Sequence, residues 1–244
     1  MNLIVDVGNT SIKLAVFEDR ELIGKTSCDP QDFLLSLEKT SNEFNKIEHA
    51  MVSSVGNFDE RYLSELKRKY FLHILSEMTK LPFTNKYKTP TTLGVDRIAL
   101  MSAASLGYKN KNVLVIDAGT CVTYDIKNSE NEYLGGAISP GLYMRYKALN
   151  TFTEGLPLLD REVNILDVGN TTNSSIQIGV VTGLVNEIDG FIDNYSKKYD
   201  DLTIILTGGD SNFLLDRLKN DIFANSNFLL EGLNYILEKN IDLC

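Results

Sequence analysis

Two short stretches of this chain share an order of residues suited to holding phosphate. Ile4–Lys13 reads I-V-D-V-G-N-T-S-I-K and Ile116–Asp125 reads I-D-A-G-T-C-V-T-Y-D. In each, an apolar run ends in Asp. A small residue and Gly follow, Thr comes one or two positions later, and a second apolar run begins. Gly8 and Gly119 are expected to take positive φ and to leave no side chain between backbone and ligand. Turn N–H groups can then face phosphate oxygens, and the hydroxyls of Thr10, Ser11 and Thr120 add donors. Asp6 and Asp117 cannot hold phosphate directly, because like charges repel. A carboxylate fits there if a cation stands between, as Mg²⁺ does when it shares carboxylate, water and substrate oxygens. Lys13 supplies a point charge of the right sign. One copy alone reads as a hairpin turn, for which Asp, Asn and Gly are ordinary residues. Two copies, one near the start of each half, read as a duplicated nucleotide clamp.

The elements that must position these phrases repeat as well. Leu3–Asp6, Ser11–Phe17 and Glu21–Thr26 read as a strand meander. Asp29-Pro30 opens a helix to about Asn42 with Phe33, Leu34 and Leu37 on one face. Ala50–Val55 and Phe71–Leu75 read as strands around an amphipathic helix at Asp59–Tyr70. Leu81–Thr92 is a polar loop, and a helix runs from Leu93 to Leu106. The meander then recurs at Val113–Asp117, Cys121–Ile126 and Glu132–Ala137. Pro140 fits the first turn of a helix to Leu149. Thr151–Asn173 is long and irregular, as functional loops often are. Ser174–Tyr199 reads as a helix whose Gly179, Gly183 and Gly190 are spaced for close packing or ligand approach. A strand at Leu202–Thr207 and helices at Asn212–Lys219 and Gly232–Lys239 close the chain. Alternating strands and helices indicate an α/β layer fold, and Gly107 with Lys109–Lys111 marks a seam. Two domains are expected, 1–109 and 110–244.

Composition bounds the partners. The chain has 244 residues, 43% of them apolar, enough for a core. Its net charge of −9 argues against nonspecific binding to nucleic acid or anionic membrane. No apolar run nears the roughly 20 residues of a membrane span. No secretory signal is visible at the start. Cys28, Cys121 and Cys244 form no close-spaced set, so neither a disulfide framework nor a zinc site is expected, and a reducing cytoplasm fits. His49 and His73 sit singly in apolar segments and read as core or surface residues. No G-x-x-x-x-G-K-[ST] occurs, which excludes a P-loop mechanism.

Taken in order, the motifs resemble those of the type III pantothenate kinases, members of the acetate kinase, sugar kinase, Hsp70 and actin superfamily. D-V-G-N-T-S-I-K at Asp6–Lys13 and D-A-G-T at Asp117–Thr120 are similar to the family's two phosphate motifs. G-V-D-R at Gly94–Arg97 is similar to its G-A-D-R. G-G-A-I-S-P-G at Gly135–Gly141, T-x-x-S-I-Q-x-G at Thr172–Gly179 and T-G-G-D at Thr207–Asp210 follow in the family's order. The resemblance spans essentially the whole chain. Val95 replaces the usual Ala, and Ala118 and Cys121 replace commoner neighbours, all small apolar changes. The resemblance implies duplicated ribonuclease H-like, actin-like ATPase domains, each a mixed sheet with flanking helices. It implies ATP-dependent phosphorylation of pantothenate, a homodimer, Mg²⁺ with ATP, and K⁺ or NH₄⁺. By position, Asp6, Val7, Gly8, Asn9, Thr10, Ser11, Ile12, Lys13 and Thr120 would bind ATP, with Asp6 reaching Mg²⁺ through water. Tyr87, Gly94, Val95, Asp96, Arg97 and Thr172 would hold pantothenate. Asp96 would be the catalytic base, and Asp117 would bind the monovalent cation.

The residue chemistry is compatible with those roles. A carboxylate within hydrogen-bond reach can accept an alcohol's proton late in phosphoryl transfer. Asp96 stands at an expected helix start, where the dipole favours an anion. The planar fork of Arg97 matches a carboxylate bidentately. Plainer readings make Asp96 a helix N-terminal charge, Arg97 a surface ion pair, Tyr87 a packing residue and Thr172 a helix cap. The substrate threonine could also be Thr171. Asp125 reads as a strand-end turn residue in preference to a group that supports the site from behind, and Asp210 as a cap of the following helix. Two other functions compete: another small-molecule kinase of this fold, and a nucleotide-binding relative that regulates transcription.

Overall fold

Asn2–Val7 forms strand β1, buried at all six positions. The apolar run Leu3–Val5, with Val7 beyond Asp6, fits a central strand covered on both faces. Leu3, Val5 and Val7 join one core with Phe33, Leu37 and Leu66. Ile4 joins another with Ala99, Leu233 and Ile236. The computed structural model describes residues 1–8, 10–54 and 58–241. By contact it divides into two units. One holds Met1–Lys109, Asn131–Tyr133 and Asn227 onward; the other holds Asn110–Glu130 and Leu134–Ser226. Val55 and Cys244 lie outside the described residues.

The first unit carries a five-stranded sheet in the order β3-β2-β1-β4-β5. Strands β2 (Ile12–Glu18) and β3 (Glu21–Cys28) complete an antiparallel meander with β1. Strands β4 (His49–Ser54) and β5 (Phe71–Ile74) follow in parallel. Helices α1 (Phe33–Glu43) and α2 (Glu60–Lys69) contribute to one core. Helix α3 (Val95–Gly107) and the closing helix, α7 in chain order (Phe228–Ile241), build the other. A side chain at Gly232 would strike the backbone of Ala99, so these two helices meet at close range. That contact brings the chain's last helix back to its first unit. The loop expected at Leu81–Thr92 contains a short strand, β6 (Thr84–Asn85), paired with Glu132 and Tyr133.

The second unit repeats the plan. Strands β7 (Val113–Ala118), β8 (Cys121–Lys127) and β9 (Glu132–Pro140) form the meander. β10 (Thr203–Thr207) is parallel to β7, and β11 (Phe223–Ala224) is parallel to β10. Leu114, Ile116, Val122 and Tyr124 share a core with α4 (Leu142–Thr151), α5 (Thr172–Ser196) and α6 (Ser211–Leu215). Several expectations are corrected here. Pro140 ends β9, and Gly141 caps α4. Leu34 points outward at 44% exposure while Phe33 and Leu37 are buried. Gly179, Gly183 and Gly190 face open space, with nothing within 4 Å of a Cβ built on them. Asp125 lies inside β8 and is fully buried.

Candidate active site

The two phosphate phrases occupy equivalent places. Asp6 is the penultimate residue of β1 and pairs with Lys13; Asp117 is the penultimate residue of β7 and pairs with Thr123. The Gly8 N–H donates to Ser11 O (3.1 Å) and the Gly119 N–H to Cys121 O (2.9 Å), closing each turn. Neither glycine adopts the positive φ expected of it; among described glycines only Gly135 and Gly208 do. A Cβ at Gly8 would come within 3.2 Å of Ser11 O. A side chain there would thus sit tightly against the turn's own backbone. Val7 and Ile12 are buried beside it, whereas Gly8 and Thr10 are exposed and Ser11 partly so. Asn9 lies outside the described residues.

In the first unit Lys13 Nζ lies 3.2 Å from Asp6 Oδ2. Burial pushes the Asp6 carboxyl above its ordinary range. Lys13 opposes that shift, and the negative charge of Asp96 adds to it. Asp6 therefore senses the charge of Asp96. Gly94 is the N-cap of α3, and Asp96 sits in its first turn, where Oδ1 accepts the Arg97 N–H at 2.8 Å. A Cβ on Gly94 would overlap Oδ1 of Asp96, so G-V-D-R needs its glycine to seat its aspartate. Val95 is partly buried against the α3–α7 core.

Arg97 is not a surface ion-pair residue. It is 5% exposed. Its guanidinium carbon lies 5.4 Å from the Tyr87 ring centre and 5.9 Å from that of Tyr133. Tyr87 and Tyr133 are stacked, 6.0 Å apart with 19° between planes. The structure thus groups Tyr87, Gly94, Val95, Asp96 and Arg97. It adds Tyr133, which sequence reasoning missed because the residue lies in no motif and meets Arg97 only through β6–β9 pairing.

In the second unit three motifs converge. The Gly141 N–H donates to Thr120 O at 3.1 Å, and a Cβ at Gly141 would strike Gly119 and Thr120. The Asp210 N–H donates to Ala118 O at 2.9 Å. Gly208, at φ 95°, lies so near β7 that a Cβ there would meet Asp117 Oδ1 and Ala118 O together. Gly208 therefore packs directly against both oxygens. An all-oxygen set of carboxylate and carbonyl suits a hard cation. Asp6, a single largely buried carboxylate, suits Mg²⁺ that keeps most of its waters. Among the described residues no three His, Cys, Asp or Glu side chains cluster as a metal site.

Asp210 does not cap α6 through its side chain. It pairs with Arg161 at 2.8 Å, while burial raises its carboxyl and Arg161 opposes that rise. Thr171 caps α5 in a reciprocal capping box with Ser174, so its hydroxyl is engaged. Thr172 is the first helical residue, exposed, and not the cap. The run Gly135–Gly141 is braced by residues with no motif signal. Arg145 donates to Pro140 O (2.9 Å) and Glu187 (2.6 Å), and Tyr124 donates to Glu187 (2.9 Å). Burial alone would raise Glu187, but hydrogen bonds from Arg145, Ser139 and Tyr124 outweigh it and hold the carboxyl low.

A family model described as type III pantothenate kinase matches residues 2–194. The chain is 51% identical over 240 residues to the type III pantothenate kinase of Christiangramia forsetii, covering 98% of this chain and 99% of that one. It is 43% identical over 241 residues to a type III pantothenate kinase of Bacteroides fragilis, covering 98% of each. One solved structure with the same fold, from Campylobacter jejuni, is described provisionally as a Baf family transcriptional activator. It has a TM-score of 0.66 at 23% identity, over 98% of this chain and 99% of that one. Another is a glucokinase from an Antarctic psychrotroph, with a TM-score of 0.52 at 11% identity and 98% of each chain covered. At such identities the two structures speak to fold alone, the duplicated actin-like ATPase fold.

Proposed function

The chain belongs to the type III pantothenate kinase family, and from that premise we propose that it transfers the γ-phosphoryl group of ATP to pantothenate. The product is 4′-phosphopantothenate, and the reaction is the first committed step towards coenzyme A. The observation that carries this reading furthest is the full-length likeness to relatives of that name, joined to the grouping of Tyr87, Asp96 and Arg97 in one unit.

Phosphoryl transfer asks the protein mainly for positioning and charge stabilisation. Asp6–Lys13, including Val7, Gly8, Asn9, Thr10, Ser11 and Ile12, would carry the ATP phosphates, and Thr120 would touch ATP. Asp6 would face Mg²⁺ through water. Arg97 would hold the pantothenate carboxylate bidentately, with Tyr87, Gly94, Val95 and Thr172 lining the acceptor. Asp96 Oδ1 is engaged by the Arg97 amide, so Oδ2 would accept the proton of the acceptor hydroxyl. The first turn of α3 is a place where a helix dipole favours an anion. Asp117 would hold K⁺ or NH₄⁺, which would supply positive charge near the phosphates.

We also read the protein as a cytoplasmic homodimer whose sequence halves are 1–109 and 110–244. Among described residues no helix is long and apolar enough to cross a membrane. The regulatory reading gains no support from a net charge of −9. Incubation with ATP, Mg²⁺, K⁺ and pantothenate, followed by phosphorus NMR, tests the assignment. A phosphomonoester on the acceptor's terminal hydroxyl is expected; ATP left intact, or phosphate released only to water, would refute it.

A further inference from the structure

We propose that Tyr133 is a positioning residue that aims the Arg97 guanidinium at the acceptor's carboxylate, and so sets how strongly the enzyme prefers an anionic acceptor. The inference rests on the reading of Arg97 given above.

A guanidinium as buried as that of Arg97 needs compensation for lost water. An aromatic face attracts a cation without accepting its in-plane N–H groups. It therefore steadies Arg97 while leaving the geometry of a carboxylate fork intact. Tyr133 is suited to that work because its own place is fixed. It is fully buried. Phe83 meets it edge-on at 6.0 Å and Tyr87 stacks on it. Its carbonyl accepts the Lys86 N–H at 2.9 Å, and Asn131 O accepts the Thr84 N–H at 3.0 Å. Asn131 Nδ2 donates to Pro82 O at 2.8 Å, and Lys86 pairs with Glu132 at 3.0 Å. One short strand pairing thus ties the residues before Tyr87 to the residues around Tyr133. Both rings are then presented to the first turn of α3.

The test compares dissociation constants for pantothenate and for its uncharged analogue, in which a hydroxymethyl group replaces the carboxylate. Tyr133→Phe should keep the preference for the acid. Phenylalanines carrying one, two and then three ring fluorines at position 133 should erode it stepwise, because fluorine drains the ring face at nearly constant volume. Tyr133→Leu should weaken pantothenate binding about tenfold, the scale of one desolvated cation–π contact, and the analogue by less than twofold. A residue that only packs would affect both acceptors alike and ignore fluorination, and that result overturns the proposal. If Tyr133→Leu does not fold, the near-isosteric fluorinated series decides. Arg97→Met separates the two readings. Equal loss for both acceptors would refute the role of Arg97 and this inference with it. Selective loss of the acid beside a flat fluorine series would overturn the role of Tyr133 alone.

Discussion

Lys13 Nζ sits 3.2 Å from Asp6 Oδ2, and the two residues are direct cross-strand partners in the first hairpin. In the second hairpin Thr123 takes the place of Lys13 opposite Asp117. The duplicated frame therefore carries a lysine at one of two matching positions and a threonine at the other. Asp6 remains shifted upward despite Lys13, because burial costs its charged form more than the half-exposed ammonium returns.

That shift predicts a trade between stability and function. The carboxyl has a reference value of 3.8 when unfolded and titrates higher when folded. Below 3.8 both states are protonated and no stability is lost. As pH rises through the folded value, the native state must ionise a buried group and stability falls. Asp6→Asn should therefore melt above the parent protein at pH 7, the gap closing on acidification, while activity is lost. Thermal melts across pH check it; a variant that melts lower at neutral pH would refute the sign.

Gly94→Ala should separate fold from chemistry. The backbone at Gly94, φ −59° and ψ 137°, accepts alanine without strain. The new methyl group would displace only the Asp96 carboxylate. Unfolding in urea should change by less than about 0.5 kcal/mol, while kcat falls at least about tenfold, as for a misplaced base.

Thr171 and Thr172 should divide in the same way. Thr171→Ala removes the α5 cap and should cost about 1 kcal/mol of stability. Thr172→Ala should leave stability alone and raise the KM for pantothenate. Denaturant curves beside steady-state kinetics on both variants assign the substrate contact.

Much of this was legible in the chain because the signals are local. Two Asp–Gly phrases at strand ends foretold two meanders, and both formed with matching order. Apolar runs such as Leu3–Val5 and Val113–Ile116 declared themselves as central strands. What stayed hidden depends on contacts distant in sequence. Thr84–Asn85 is too short to read as a strand until Glu132 and Tyr133 pair with it. Gly232 gives no sign that α7 returns to α3. Tyr133, Arg145 and Glu187 belong to no phrase and are recruited by packing alone. Turn glycines misled differently: Gly8 and Gly119 lack the positive φ expected of them, and the left-handed glycines among the described residues lie at Gly135 and Gly208.

Gly208→Ala tests the second unit. A residue with a Cβ at φ 95° is strained, and here the Cβ also meets Ala118 and Asp117. About 2 kcal/mol or more of stability should be lost, or roughly 4–8 °C in Tm at this chain length. Residual activity should lose its response to K⁺. An unchanged K⁺ response would move the cation site away from Asp117.

The most direct measurement follows ADP release by the parent protein and by Asp96→Asn, with pantothenate, glucose or acetate as acceptor. The parent protein should turn over only with pantothenate, and only with K⁺ or NH₄⁺ present. Asp96→Asn should bind ATP as before and turn over about 10²–10⁴ times more slowly. Turnover with glucose or acetate but not pantothenate, or an Asp96→Asn variant as fast as its parent, would contradict the account.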